Sequence, residues 1–545
     1  MNPIKKGSAA LMMTVCLAIS AAPLMLPAAA GEASAAAVQP AAENRASPSK
    51  LSGIKEIVAS PGFWGGSSFA LGKDGSVWVW GSNVSGQFAD GTAGPEGWTI
   101  TPRKIESLKN TRQLVIGNQY YLALREDGTV TVWGSYAKAD VPPAGLQVEV
   151  QLPESIAGLS DVIKIVPVRE GFIALQRNGA LMEWKAPERT PNGYAVIPAA
   201  RPISGITGVK DIASGGFAAA LKSNGTVWIW SAETAQVSGG ISLTESPAPV
   251  NGLYHVKSIA IQDNSLLAMT ESGSVWGSVV TAARNSMKLE MKKMTSLSGV
   301  VSIQTNGQFN LIRNTKGEYW LWNAGTRLQS LQKVTTVTGI SQLNFFLHGF
   351  AAVKQDGTVW TWEKDYQSEK LAFTKPKQIR GLSSPVSFAS GENSKYAVLK
   401  DGTAVAWGTN MFGQLGISVP ESRPFTLSPI LRPVTLIVNG KTVTADQPPI
   451  LLKGKVMVPV RAVAEALGYT VTWENGIKLE RGDKVLYIRD GQILSVNGKG
   501  IPLNPPPVNI SYTQFIPAGT LIQVLGIPAV WDSAGYKLVL GTASS

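Results

Sequence analysis

Cysteine and histidine are nearly missing: the 545-residue chain has one cysteine, Cys16, and two histidines, His255 and His348. One thiol excludes an intrachain disulfide framework, and two distant histidines exclude the ordinary Cys/His zinc site. Charge is sparse, at 16% of residues, and unbalanced, with 49 basic against 37 acidic side chains and a formal +12. Past residue 26 there is no run of the roughly 20 apolar residues that a membrane-spanning helix needs. The sequence also lacks a GxSxG elbow, an HExxH helix motif, a phosphate-binding loop and an EF-hand loop. A hydrolase or lyase drawing single carboxylates from separate loops leaves no such local mark.

The N-terminus supplies the one long apolar stretch. Lys5 and Lys6 precede an apolar run from Ala9 to Leu26, followed by Ala28-Ala29-Ala30 and Ala33-Ser34-Ala35. This is the layout of a secretory signal peptide with a small-residue cleavage site, assigned to residues 1–35. Cys16 lies inside the run, so the mature chain is expected to have no cysteine and no disulfide. Loss of the two lysines takes the net charge from +12 to +10 for cleavage after Ala30, and to +11 where Glu32 leaves as well. Residues 36–50 are small, polar and proline-bearing, and read as a flexible linker.

Glycine and tryptophan, by contrast, are plentiful, at 56 and 16 residues. They fall into eight copies of one hairpin, from SFALGKDGSVWVWG at 68–81 to KYAVLKDGTAVAWG at 395–408. The turn glycines are Gly75, Gly128, Gly179, Gly225, Gly273, Gly317, Gly357 and Gly402, spaced from 40 (Gly317 to Gly357) to 53 (Gly75 to Gly128). Asp-Gly or Asn-Gly supplies the positive φ that a tight two-residue turn demands. Five places after the glycine stands Trp80, Trp133, Trp184, Trp230, Trp322, Trp362 or Trp407; the fifth copy alone breaks the rule, with Ser278. Three places after it, Trp78, Trp228, Trp276, Trp320 and Trp360 share the same strand face. Apolar residues on both faces predict strands sandwiched between sheets, so these 12 tryptophans are assigned to packing rather than to a sugar-binding platform. A 40–53-residue period of strand hairpins predicts a propeller over 51–434, with seven or eight blades.

A second repeat follows Pro433, with a 58-residue period. Val458-Pro459 recurs as Ile516-Pro517, Leu467-Gly468 as Leu525-Gly526, and Trp473 as Trp531. Val460, Val463, Ala464 and Leu467 form one apolar helical stripe that Gly468 can end. Residues 435–545 are therefore expected to form a smaller, duplicated α+β module of two half-repeats, and the fold class as a whole is mainly β.

Two resemblances follow from these residues. The order Asp-Gly-x-Val-x-x-Trp-Gly, with GSNVSGQF at 81–88 and GTNMFGQLG at 408–416, resembles the regulator-of-chromosome-condensation repeat. That resemblance implies a β-propeller; nuclear exchange activity is not expected of a chain that opens on an export signal. The string GKVMVPVRAVAEALGYTVTWE at 454–474 resembles the stalk domain of exported Gram-positive proteins, which is similar to the copper amine oxidase N-terminal domain. Copper amine oxidase chemistry needs three histidine ligands and an Asn-Tyr-Asp/Glu motif. Both histidines lie outside the module and no Asn-Tyr pair exists, so no copper and no other cofactor is expected.

The expected function is that of an exported, non-enzymatic binding or scaffold protein at the cell surface or outside it. Its propeller would present a recognition face, and its stalk would space or tether that face near the wall. A secreted inhibitor of an extracellular enzyme and a polysaccharide-active hydrolase or lyase are the alternatives. The expected partner is an extracellular protein or a cell-wall polymer, not nucleic acid, and the chain is expected to be a monomer. Loops carry function on rigid folds, which singles out Trp98, Tyr136, Tyr194 and Tyr366 as ligand contacts. In the module, Arg461 with Trp473 is the corresponding choice, with Glu465 four residues from Arg461 on the same helix face.

Overall fold

The computed structural model describes residues 49–60, 66–94, 97–117, 120–134, 151–168, 171–186, 197–231, 246–283, 286–306, 308–322, 331–367, 372–419, 424–489, 493–496 and 499–541. The expected signal peptide and all but two linker residues lie outside these.

The first hairpin shows how the sequence builds a blade. Gly75 has φ +75°, and the Asp74 carboxylate accepts the Ser76 amide at 3.0 Å and its hydroxyl at 2.6 Å, which closes the turn. The turn joins Ser67–Gly72 to Val77–Ser82, which pair antiparallel, and Ile54–Ala59 and Trp98–Lys104 flank them. Among the described residues, this four-strand pattern recurs in eight antiparallel sheets, each made of consecutive chain. These are eight blades, the larger of the two numbers that the repeat allowed.

The tryptophans five places after each glycine fill the seams. Trp80, Trp133, Trp184, Trp230, Trp322, Trp362 and Trp407 are at most 8% exposed. Separate apolar clusters lie between successive blades all the way round. The cluster joining the last blade to the first holds Ala70 and Trp80 against Tyr396, Val398 and Ala406, so the ring is closed. Hydrogen bonds reinforce that seam. Trp80 Nε1 and Tyr396 Oη both donate to the Gln414 carbonyl, at 2.6 and 2.7 Å, and Ser68 Oγ donates to Tyr396 Oη at 2.8 Å.

The C-terminal region folds around a core of its own. Helix α1, Val460–Ala466, and helix α2, Ala518–Leu525, bury Val460, Val463, Ala464 and Leu521. Pro459 stands at the N-cap of α1, with extended backbone; a proline has no amide to leave unpaired there. Strands Lys455–Pro459 and Thr513–Pro517 pair antiparallel, and Val458 lies opposite Ile516. Those two residues are 58 apart and equivalent in the repeat, so a local two-fold axis passes between them.

This region packs on the outer strand of the first blade. Ile100 is 1% exposed among Ile450, Met457, Ile510 and Phe515. Gln447 Nε2 donates to the Trp98 carbonyl at 2.5 Å, and Arg432 Nη2 to the Gly535 carbonyl at 3.2 Å.

Candidate functional site

Strand alternation separates the ring's two ends. Hairpins carrying the Asp-Gly or Asn-Gly turns lie at one end; turns joining the first and second strands of each blade lie at the other. At the Asp-Gly end the carboxylates are occupied. Asp127, Asp356 and Asp401 each accept the amide and hydroxyl of the threonine two residues on, with oxygen contacts of 2.6–2.7 Å. These bonds hold their carboxyl groups below the usual range, with Asp356 lowered to about 2, chiefly by the Thr358 hydroxyl and amide. They are turn clamps and not acid–base pairs.

At the opposite end, one predicted residue lies in a cluster. Tyr366 follows the third strand of the seventh blade, on a connection pinned by Lys364 N–H donating to the His348 carbonyl at 2.8 Å. The phenol and His348 Nδ1 are 2.7 Å apart, and the two rings meet edge-on at 82°. His348 Nε2 lies 3.2 Å from Glu392 of the eighth blade, and the Lys364 ammonium 5.2 Å from the Tyr366 ring centre. Lys395, also of the eighth blade, pairs with Glu363 at 2.5 Å. An imidazole with its proton on Nε2 satisfies both neighbours: it donates to Glu392 and accepts from the phenol. Burial first, then the charges of Glu392 and Glu363, raise the Tyr366 phenol above its ordinary pKa, so it stays a neutral donor. The ring nevertheless remains 59% exposed. An exposed aromatic fixed by a charged frame is suited to contact a partner surface with little loss of side-chain entropy.

The other predicted residues fall elsewhere. Tyr136 and Tyr194 lie outside the described residues. Trp98 begins the outer strand of the first blade and packs against the Ile100 cluster, so its ring faces the chain's own C-terminal region. Arg461 Nη1 meets Glu465 at 3.2 Å and the Val471 carbonyl at 3.4 Å. Trp473 ends an edge strand and is 74% exposed, whereas its repeat equivalent Trp531 packs edge-on against Tyr536 at 5.3 Å. Sequence reasoning missed His348 and Glu392, which come from turns of two blades and share no local motif.

Among the described residues, no three His, Cys, Asp or Glu side chains gather in a metal-binding arrangement. A copper site does not fit the C-terminal region, which has neither histidine nor cysteine.

Residues 437–540 match the copper amine oxidase N-terminal domain. The chain is similar to "Protein pim1" of Schizosaccharomyces pombe, 25% identical over 271 residues, or 39% of this chain and 50% of that one. It is also similar to "RCC1 domain-containing protein RUG3, mitochondrial" of Arabidopsis thaliana, 32% identical over 277 residues, 46% of this chain and 61% of that one. The matches thus span half to three-fifths of the length of these relatives. Among solved structures, Prp20p of Saccharomyces cerevisiae is similar at 18% identity and a TM-score of 0.41, covering 66% of this chain and 87% of that one. These similarities support an RCC1-type β-propeller, followed by a region that matches the copper amine oxidase N-terminal domain.

Proposed function

We propose that this chain is an exported binding protein without catalytic turnover, whose propeller recognises a partner at the Tyr366 end of the ring. The observation that carries this is the Tyr366–His348–Glu392 frame, which holds an exposed phenol at the junction of two blades. Similarity to RCC1-type propellers supports a protein-binding or regulatory role. The signal-like N-terminus supports export, and the C-terminal domain, packed on the first blade, would space the ring from a cell wall. The partner is then an extracellular protein or an anionic wall polymer drawn by the positive net charge.

Co-sedimentation of the mature chain with purified Gram-positive cell walls tests this reading. The chain pellets, in a salt-sensitive way, and Tyr366→Ala or Glu392→Lys reduces the pelleted fraction without lowering the melting temperature. A chain that stays in the supernatant, or variants that pellet like wild type, would contradict recognition of the wall at this end.

A further inference from the structure

The fifth blade departs from the others at the opposite, Asp-Gly end of the ring. A groove of about 470 Å³ lies there, between the hairpin turn and the segment entering the blade's first strand. Two rings line it: Tyr254, 62% exposed, and the partly buried Trp276. Lys293 lines it too, from the outer strand, directly opposite Trp276 in register.

Two features coincide here. In the fourth, sixth and seventh blades, though not at Trp78 of the first, the equivalent indole is covered by a lysine of the chain itself. Lys222 lies 5.1 Å from the Trp228 centroid, Lys333 5.6 Å from Trp320 and Lys354 6.0 Å from Trp360. Trp276 has no such cation among the described residues, and Lys293 has no acidic partner among them. Secondly, the turn residue that is Asp or Asn in most copies is Ser272 here. It forms a hydroxyl chain, 2.9 Å to Thr270 and 3.3 Å to Ser274, in place of the usual acceptor clamp.

We propose that this groove binds an acidic pyranose, such as the uronic-acid unit of an anionic polysaccharide. An uncovered indole and a phenol offer flat apolar faces to the C–H face of a sugar ring. Hydroxyls of Ser272 and Ser274 can exchange hydrogen bonds with sugar hydroxyls, and the exposed Glu271 carboxylate can accept from them. Lys293 supplies a charge-assisted bond to the sugar carboxylate. The groove and the Tyr366 cluster lie on different blades and opposite ends, so this inference stands or falls apart from the partner of that cluster.

Isothermal titration of the mature chain with oligogalacturonate, with neutral galacto-oligosaccharide and with inorganic polyphosphate tests it. Oligogalacturonate binds, the neutral sugar binds at least about tenfold more weakly, and Trp276→Ala weakens the acidic sugar by about tenfold. Lys293→Glu, on an exposed strand position, weakens it as much with an unchanged melting curve, which separates ligand loss from misfolding. Trp276→Phe keeps most of the affinity. The proposal is overturned if oligogalacturonate does not bind or if both variants bind it like wild type. Polyphosphate binding as tightly, indifferent to Trp276→Ala, would overturn it too, by showing a bare cation patch.

Discussion

The Ile54 amide, in the first blade, donates a hydrogen bond to the Gly402 carbonyl, in the last, at 3.0 Å. The same bond joins successive blades elsewhere: Thr111 to Gly75, Val162 to Gly128, Val209 to Gly179, Val256 to Gly225 and Val300 to Gly273, at 3.0–3.3 Å. Six of the eight hairpin glycines are thus held in their turn conformation and also carry a bond across a seam. The seventh blade is the exception. At its seam with the eighth the donor position is Pro385, which has no amide, and among the described residues no bond joins Ile340 to Gly317 at its seam with the sixth.

Hydrogen exchange should reflect that difference. Opening is expected to be easiest where inter-blade bonds are fewest, so amides of Ile340–Phe346 and Gly349–Lys354 exchange faster than those of Ile54–Ala59 and Ser67–Gly72. Equal protection in the two blades would contradict this.

Substituting two of the turn glycines separates strain from contact. Gly75 and Gly357 both have positive φ, so valine at either costs about 1–2 kcal/mol in backbone strain. A Cβ at Gly75 would also come within 2.8 Å of Asn110 Cα, whereas at Gly357 it meets nothing within 4 Å. Gly75→Val therefore destabilises more than Gly357→Val, as denaturant titration would read.

Alkali should loosen the closing seam. Burial raises the Tyr396 phenol to about 12, against a partial opposing effect of its hydrogen bonds with Ser394 and Ser68. Its folded-state pKa lies above the unfolded value near 10, so its contribution is complete below pH 10 and is lost as pH rises through 12. Tyr396→Phe removes the hydrogen bond to Gln414, costs about 1 kcal/mol at neutral pH, and flattens the loss of stability between pH 10 and 12.

Docking of the C-terminal domain rests on Ile100. Ile100→Ala leaves a cavity among Ile450, Met457 and Phe515 and weakens the docking by about 2–4 kcal/mol. Small-angle scattering should show a larger radius of gyration with little change in circular dichroism. An unchanged radius would mean that the polar contacts from Gln447 and Arg432 suffice.

Repetition accounts for what was legible in the sequence. A turn glycine and a tryptophan five places later read directly as a blade because each copy solves the same packing problem locally. The 58-residue period likewise marked the pairs that meet on the local two-fold axis. Tertiary relations were less accessible. Trp98 looks like a loop aromatic until the chain 400 residues later folds back onto it, as the Ser511 hydroxyl 3.3 Å from its amide shows. The Tyr366 frame combines turns from two blades, which no spacing rule links. The fifth-blade groove did leave a trace, since that copy alone lacks the tryptophan five places after the glycine and alone has serine at the turn.

The most direct test of the account is where the chain goes. Expressed whole in a Gram-positive host, it should be found in the wall or culture fraction. Terminal sequencing should place its new N-terminus just after Ala30 or Ala35. An uncleaved chain retained in the cytoplasm would contradict export, and with it the reading of the propeller as an extracellular recognition ring.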